Sequence, residues 1–146
     1  MVMYATDGRP LPSVTPISRP FFDAAREGRV CLQRCPRDGV FYYPRTRCPD
    51  CWQDDWEWVG LSGRGEIYSF TVDRVGHDPA LVQDVPFTIA LVTLEEGARV
   101  VANIVGCPPE DVRVGMPVEA TFESYEPREG GEPIALLRFQ PREGSV

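Results

Sequence analysis

Lysine is absent from the 146-residue sequence, and all 15 of its basic residues are arginines. Catalysis through a lysine Schiff base is therefore excluded. Histidine occurs once, at His77, which excludes a metal site built from several histidines. Long apolar runs are also missing, since a run such as residues 89–92 is far shorter than the roughly 20 residues that a membrane-spanning helix needs. We therefore expect no membrane partner.

Basic charge is scarce relative to acidic charge. The 22 acidic residues give a formal net charge of −7 and a pI near 4.7, which argues against tight nucleic-acid binding through phosphates. The first residues have neither the basic start nor the apolar core of a secretory signal, so we expect a cytoplasmic location. In a reducing compartment, the five cysteines favour a metal site or free thiols over disulfides.

Two short cysteine motifs have the spacing of the two knuckles, or ligand-bearing turns, of a zinc ribbon. Residues 48–51 read Cys-Pro-Asp-Cys and supply two thiolates at the expected spacing. Residues 35–39 read Cys-Pro-Arg-Asp-Gly, so that Asp38 stands where the second thiolate of this knuckle is expected. A carboxylate is an accepted zinc ligand, and the motif pair therefore predicts a small ribbon with an altered fourth ligand.

Three hypotheses for the ribbon remain open. In the first, zinc is held by a closed set of four ligands: Cys35, Asp38, Cys48 and Cys51. In the second, Cys31 on the preceding strand replaces Asp38, and in the third the ribbon is held by packing without a metal. A closed set of four ligands leaves no open position for a substrate, so the predicted role of the zinc is structural.

Four arginines surround the knuckles in a chain that is otherwise acidic: Arg34, Arg37, Arg45 and Arg47. One hypothesis is that they offset the negative charge of a metal–thiolate centre. The other is a local phosphate-binding patch, since a guanidinium group can bind phosphate through two parallel hydrogen bonds.

The pattern of the chain predicts three parts: an N-terminal arm and helix (1–28), the zinc ribbon (29–60) and a β-barrel (61–146). The arm is expected to be extended over residues 1–17, and Ser18 is expected to cap a short helix that ends at Gly28. Period-two alternation predicts five barrel strands at about 65–74, 87–95, 98–106, 115–125 and 133–140. Five short strands with a helical turn after the third indicate a mainly β protein with an OB-type barrel.

Two further features could carry function. Trp56 and Trp58 alternate along a strand, so their indoles are expected on one side. With Trp52 they either pack the ribbon against the barrel or line a protein interface, and a stacking platform for bases is the alternative. His77 lies beside Asp78 in the loop 75–86. A surface histidine is the simpler interpretation, and an acid–base pair in an independent hydrolase or lyase is the alternative.

Several motifs together resemble one known family. They are Phe-Phe-Asp-Ala-Ala-Arg-Glu-Gly at 21–28, Leu-Gln-Arg-Cys at 32–35, Tyr-Pro-Arg at 43–45, the knuckle at 48–51, Gly-Arg-Gly-Glu-Ile-Tyr-Ser-Phe-Thr at 63–71, and Gly-Met-Pro-Val at 115–118. Across about residues 18–140 the chain resembles the domain-of-unknown-function-35 family, a rubredoxin-like zinc ribbon joined to an acyl-CoA-associated OB fold.

The resemblance implies a non-catalytic accessory subunit that stabilises an acyl-CoA-processing, thiolase-like enzyme. Such a partner is a retro-aldolase, for example of steroid side-chain degradation, or an acyltransferase, and the alternative partner is a hot-dog-fold enoyl-CoA hydratase. The resemblance also implies zinc ligands at Cys35, Cys48 and Cys51, with Asp38 at the position of the family's fourth cysteine. It further implies that a CoA thioester is shared with the partner. We expect the four arginines to approach CoA phosphates, and Phe21 and Phe22 to anchor the partner. The rival from another class is a nucleic-acid-binding module of OB barrel and ribbon.

Overall fold

Strands are the predominant secondary structure, as the alternating pattern predicts. The computed structural model describes residues 3–142. Its elements are β1 (Met3–Tyr4), β2 (Pro10–Leu11), α1 (Arg19–Arg26), β3 (Val30–Cys35), β4 (Gly39–Phe41), β5 (Glu57–Leu61), β6 (Arg64–Asp73), β7 (Phe87–Leu94), β8 (Arg99–Ile104), β9 (Pro117–Tyr125) and β10 (Ile134–Pro141), with 3-10 helices at Pro79–Asp84 and Pro109–Asp111. None of the helices in residues 3–142 is long and apolar enough to cross a membrane.

The last five strands close into a barrel in the order β10-β8-β7-β6-β9. Neighbours pair antiparallel except β8 and β10, which pair parallel and close the barrel. Alternate residues of β7 point inward and are buried, as the period of two requires. The centre of the barrel contains Val92, Val100, Val118 and Phe139, whose relative exposure is 0%. The predicted mainly β class and the OB-type barrel are confirmed.

A glycine allows β6 to approach its neighbour closely. A Cβ atom at Gly65 would lie 2.5 Å from the carbonyl oxygen of Thr93 and 2.9 Å from a methyl group of Val92. Real Cβ atoms do not approach other heavy atoms this closely, so only glycine fits at this crossing of β6 and β7.

Helix α1 packs against the barrel and the ribbon through a buried face of Phe21, Phe22, Ala24 and Ala25. It ends before Gly28, whose φ of +76° is the left-handed conformation that stops a helix. The two phenylalanines are only 6% exposed and belong to the main core. The expectation that they anchor a partner is therefore wrong, because the chain buries them itself.

The start of α1 differs from the expectation in one detail. Ser18 occupies the N-cap position, but its side chain does not cap the helix. Its hydroxyl oxygen instead accepts the backbone N–H of Thr15 at 2.9 Å. The hydroxyl therefore stabilises the turn that leads into the helix, while the first turn relies on the fixed φ of Pro20.

The N-terminal arm is not simply extended. Strands β1 and β2 form a two-stranded hairpin, and Ala5 pairs with Pro127 beyond the end of β9. Ala5 and Leu11 are buried in the main core. The arm is therefore part of the packed structure. The division at residues 28 and 60 into three parts stays a prediction.

Candidate metal centre and ribbon surface

The two knuckles of the ribbon have matching backbone turns. The first connects β3 to β4 and ends at Gly39, whose φ is +86°. The second ends at Trp52, whose φ is +64° and whose N–H donates to the carbonyl of Cys48 at 2.9 Å. Each knuckle thus places its last residue in the left-handed region, where glycine is unstrained and tryptophan is not.

The knuckles bring four potential ligand atoms to one point, from Cys35, Asp38, Cys48 and Cys51, all within 4.8 Å of one another. The Sγ atoms of Cys35 and Cys51 are 3.6 Å apart, too far for a disulfide. The Oδ2 atom of Asp38 lies 3.7 Å from Cys35 Sγ and 3.5 Å from Cys48 Sγ.

These separations are those that a tetrahedral zinc site needs. With Zn–S near 2.3 Å and Zn–O near 2.1 Å, tetrahedral angles place sulfurs about 3.8 Å apart, and a sulfur and an oxygen about 3.6 Å apart. The cluster in this ribbon therefore fits a structural zinc. Cys31 is not a member of it. Because Cys31 precedes Cys35 by four residues on β3, about 13 Å of strand separates them.

The thiols of the cluster differ in acidity. Burial raises the pKa of Cys35, but the backbone N–H groups of Arg37 and Asp38 outweigh it, and the pKa lies below the ordinary value of 9.0. Burial dominates at Cys48 and raises the pKa of its thiol. The backbone N–H groups of the first knuckle turn therefore favour the thiolate form of Cys35.

A buried glutamine fixes the second half of the ribbon to the first. Gln33 on β3 is 1% exposed. Its Nε2 donates to the carbonyl of Arg45 at 2.7 Å, and its Oε1 accepts the N–H of Arg45 at 2.9 Å. Both polar ends of the side chain are thereby satisfied inside the protein. Sequence reasoning missed this role, although a polar residue within an apolar strand was the available signal.

The four arginines near the knuckles fall into two pairs with different partners. Arg34 forms an ion pair with Glu57. Arg37 forms an ion pair with Asp55, with Nη1 and Oδ2 3.0 Å apart, and lies 3.6 Å from Cys51 Sγ. The hydrogen bond with Asp55, and then the contact with Cys51, raise the pKa of Arg37. Arg34 therefore offsets the charge of Glu57, whereas Arg37 offsets that of Asp55 and also contacts the cluster through Cys51.

Arg45 and Arg47 donate to backbone carbonyls instead. Arg45 bonds to the carbonyls of Tyr43 and Tyr42 at 3.0 and 3.1 Å, and Arg47 to that of Trp52 at 3.0 Å. Both arginines line a shallow pocket with Trp52, whose side chain is 69% exposed. This tip of the ribbon therefore combines positive charge with an exposed indole. The phosphate-binding arginine patch stays a prediction.

The other two tryptophans pack internally. Their rings lie on the same side of the strand as expected, with centroids 5.9 Å apart and planes at 87°. Trp56 packs on the small core of the ribbon and Trp58 on the main core. The Nε1 atom of Trp56 also donates to the carbonyl of Thr46 at 2.7 Å. The prediction that tryptophans pack the ribbon against the barrel thus applies to Trp58, whereas Trp56 packs within the ribbon and Trp52 is exposed.

His77 is exposed on the loop between β6 and β7. The neighbouring carboxylate of Asp78 accepts the N–H of Ala80 at 2.8 Å and caps the 3-10 helix that follows. This arrangement gives Asp78 a structural task and favours the simpler interpretation of a surface histidine.

A zinc-ribbon sheet followed by a closed OB barrel defines the class of this protein. Two family models match consecutive segments: the ChsH2 rubredoxin-like zinc ribbon domain at residues 22–57 and the ChsH2 C-terminal OB-fold domain at residues 58–123. The chain belongs to this family, also known as DUF35, as the resemblance implied.

Relatives carry several kinds of name. A "DUF35 domain-containing scaffold protein" of Methanocaldococcus jannaschii is 43% identical, over 79% of this chain and 84% of its own length. A "Probable enoyl-CoA hydratase alpha subunit" of Thermomonospora curvata is 35% identical over 91% of this chain, which spans only 40% of that relative. The "Benzoylsuccinyl-CoA thiolase subunit BbsA" of Thauera aromatica is 28% identical, over 88% of this chain and 90% of its own length.

A solved structure described as "Ltp2-ChsH2(DUF35) aldolase" superimposes with a TM-score of 0.73. The match has 32% sequence identity and covers 90% of this chain and 98% of the other. At 32% identity, this match supports a common family as well as a common fold.

Proposed function

We propose that this chain is a non-catalytic accessory subunit that binds and stabilises an acyl-CoA-processing enzyme of the thiolase type. Membership in the family supports this proposal, as do relatives named as a scaffold protein, a thiolase subunit and part of an aldolase complex. The ribbon geometry agrees with it, because a closed set of four ligands supports structure and offers no open position for a substrate.

The observation that carries the proposal is the strained, exposed Trp52. A left-handed conformation costs a non-glycine residue about 1–2 kcal/mol, and an indole that is 69% exposed contributes little packing in return. Gly39 shows that glycine serves at the equivalent place in the other knuckle. Exposed tryptophan and arginine are the residues that most often dominate the binding energy of protein interfaces. We therefore assign Trp52, Arg45 and Arg47 to the contact with the partner.

Zinc has a supporting role in this proposal. Cys35, Asp38, Cys48 and Cys51 would hold it, and its binding energy would fix both knuckles and hence the position of Trp52. The chemistry that the ion supplies is a cross-link between the two knuckles.

A CoA thioester shared with the partner is the finer part of the proposal. Arg34 and Arg37 already pair with carboxylates. Arg45 and Arg47 therefore remain the best placed to meet a CoA phosphate beside the partner's channel. The exposed face of Trp52 lies in the same pocket and offers a stacking surface for adenine.

Substitutions at the ribbon tip test the proposal. Trp52→Gly should raise the stability of the chain by about 1 kcal/mol, because it relieves the left-handed strain, and should abolish co-purification of the partner. Val114→Ala, at another strongly exposed apolar residue, should leave both unchanged. A Trp52→Gly protein that retains its partner at wild-type yield would refute the assignment.

A hydratase partner is the second candidate, and the 35% identity to a hydratase subunit over most of this chain favours it. The mass of the co-purified enzyme distinguishes the two. The nucleic-acid-binding alternative has no such support, since the chain carries a net charge of −7.

A further inference from the structure

A cleft of about 660 Å³ lies on the outer face of the barrel, within the size range of small-molecule and peptide sites. Its floor is formed by outward-facing, half-buried side chains: Phe87 and Ile89 of β7 and Leu136 of β10. The face of the second and third strands, with the loop after the first strand, is the surface that OB barrels use for ligands. The cleft is distinct from the ribbon tip, since the two have no lining residue in common.

Strand pairing explains why apolar and polar groups alternate across the floor. Ile89 of β7 pairs with Asn103 of β8, which in turn pairs with Arg138 of β10. Two residues before Ile89, at the start of β7, Phe87 pairs with Asp73 of β6. Directly paired residues point to the same face of a sheet, so the register sets a carboxylate beside the apolar centre of the cleft.

Two walls of the cleft come from the N-terminal hairpin and from the loop between β6 and β7, which are connected by Arg9. Arg9 follows β1 in the N-terminal hairpin, and its guanidinium group bonds to Asp84 of the loop between β6 and β7 at 3.0 Å. The same group lies 4.5 Å from the centre of the Tyr125 ring. Arg9 is therefore held in place and its charge is already compensated.

The charges around the cleft are predominantly negative. Among residues 3–142, four carboxylates, two guanidinium groups and the imidazole of His77 line it. The guanidinium groups are those of Arg9 and Arg138, which pair with Asp84 and Glu123. The remaining carboxylates, Asp73 and Asp78, accept backbone N–H groups and, within residues 3–142, form no ion pair. An anion such as CoA or nucleic acid would be repelled here, whereas a cation would gain two partners.

The apolar surface also continues past the cleft. On β7 the next outward residue is Leu91, which pairs with Val101 of β8, and Val101 is 50% exposed. A small molecule that filled the cleft would leave this extension uncovered. An occupant that matches both the charge and the length is a polypeptide segment.

We propose that this cleft, lined by Phe87, Ile89, Leu136, Asp73 and Asp78, is a second docking site that takes a segment of a partner protein carrying arginine or lysine between apolar side chains. The inference rests on the proposed accessory function and adds a surface separate from the ribbon tip. Apolar side chains of the segment cover Ile89 and Leu136, and its cations pair with Asp73 and Asp78.

A library of random nine-residue peptides displayed on phage tests the proposal with the full-length, zinc-loaded protein. Enriched peptides should be cationic with at least two large apolar residues, and a synthetic copy of one should bind in fluorescence anisotropy. Binding should weaken with salt. Enrichment of anionic peptides, no enrichment, or binding of CoA at this face would overturn the proposal.

Two variants locate the site. Ile89→Arg places a cation at the centre of the floor and should abolish peptide binding, while the melting temperature remains near that of the wild type because this side chain points out of the barrel. The double variant Asp73→Asn, Asp78→Asn keeps both backbone acceptors and removes both charges, and should weaken binding roughly tenfold. A matched control, Glu66→Gln with Asp54→Asn, removes two exposed charges outside the cleft and should change nothing. Equal binding by all variants would contradict the assignment.

The same variants separate this inference from the proposed function. If the partner is captured and stabilised equally by the wild type and Ile89→Arg, the cleft is not a docking site but the accessory function stands. If the wild-type chain captures no partner while the peptides still bind at Ile89, the proposed function fails and the cleft remains a site for basic segments.

Discussion

Removal of the Asp38 carboxylate tests the unusual feature of the metal cluster. The Oδ2 atom of Asp38 lies 3.7 and 3.5 Å from two cysteine sulfurs, as the fourth ligand of a tetrahedral zinc would. Structural zinc sites bind with about 10–16 kcal/mol of apparent free energy. An equal share for one of four ligands is about 2.5–4 kcal/mol, and water can replace part of it. Asp38→Ala should therefore weaken zinc binding about a hundredfold.

Competition with a chromophoric chelator at pH 7 measures this change. Asp38→Cys should bind zinc at least as tightly as the wild type, because it restores a thiolate at a position with matching geometry. Asp50→Ala is the matched control, since Asp50 is an exposed aspartate in the other knuckle and lies outside the cluster. Unchanged affinity of Asp38→Ala would refute the reasoning, and a loss of zinc in Cys31→Ser would then identify the alternative ligand. Affinity should rise with pH for every variant, because the thiols must lose their protons.

Three further changes probe the fold. Gln33→Ala should lower the free energy of unfolding by about 2–3 kcal/mol, because it leaves the buried N–H and carbonyl of Arg45 without their partner; denaturant titration with a shift below 1 kcal/mol would contradict this. Gly65→Ala should destabilise by about 1–3 kcal/mol through overpacking, whereas Gly60→Ala, where a Cβ meets open space, should not; equal melting temperatures would refute the close crossing. The N–H groups of Gly76 and Val75 hold the pKa of Asp73 below its ordinary value of 3.8, so Asp73 stabilises the fold above that pH and loses this effect as the pH falls through its folded pKa. The melting temperatures of the wild type and Asp73→Ala should therefore converge in acid, and a gap that does not narrow as the pH falls below 3.8 would count against the assignment.

The barrel and the ribbon could be predicted because their signals are local. Alternation with a period of two located all five barrel strands to within two residues of their observed ends. The spacing of Cys35, Cys48 and Cys51 indicated the ribbon, since a knuckle needs only a few residues to set its geometry.

Features that depend on distant contacts were predicted less well. Phe21 and Phe22 have the composition of an interface anchor, and only the tertiary structure shows that the barrel and the ribbon cover them. Ser18 has the right identity for a cap, but a competing bond to Thr15 takes its hydroxyl. The acidic cleft is lined by residues of all five barrel strands, of the N-terminal hairpin and of the segments that follow β6 and β8, which no window of sequence brings together.

The conformation of Trp52 could be predicted from the sequence, but its environment could not. The two knuckles can be aligned by eye, and Gly39 then falls opposite Trp52. The alignment would have indicated a tryptophan in a glycine's conformation, but not its exposure, which depends on the tertiary structure.

We expect this chain to support a partner enzyme through the ribbon tip. To test this, the tagged chain is purified from its native lysate, the co-eluting protein is identified by mass spectrometry, and the yield and activity of that protein are compared with and without the chain. A stoichiometric acyl-CoA-processing enzyme should co-elute, should be inactive or unstable alone, and should be lost with Trp52→Gly. An enzyme that is fully active and soluble without this chain, or a chain that elutes without any enzyme, would contradict this role.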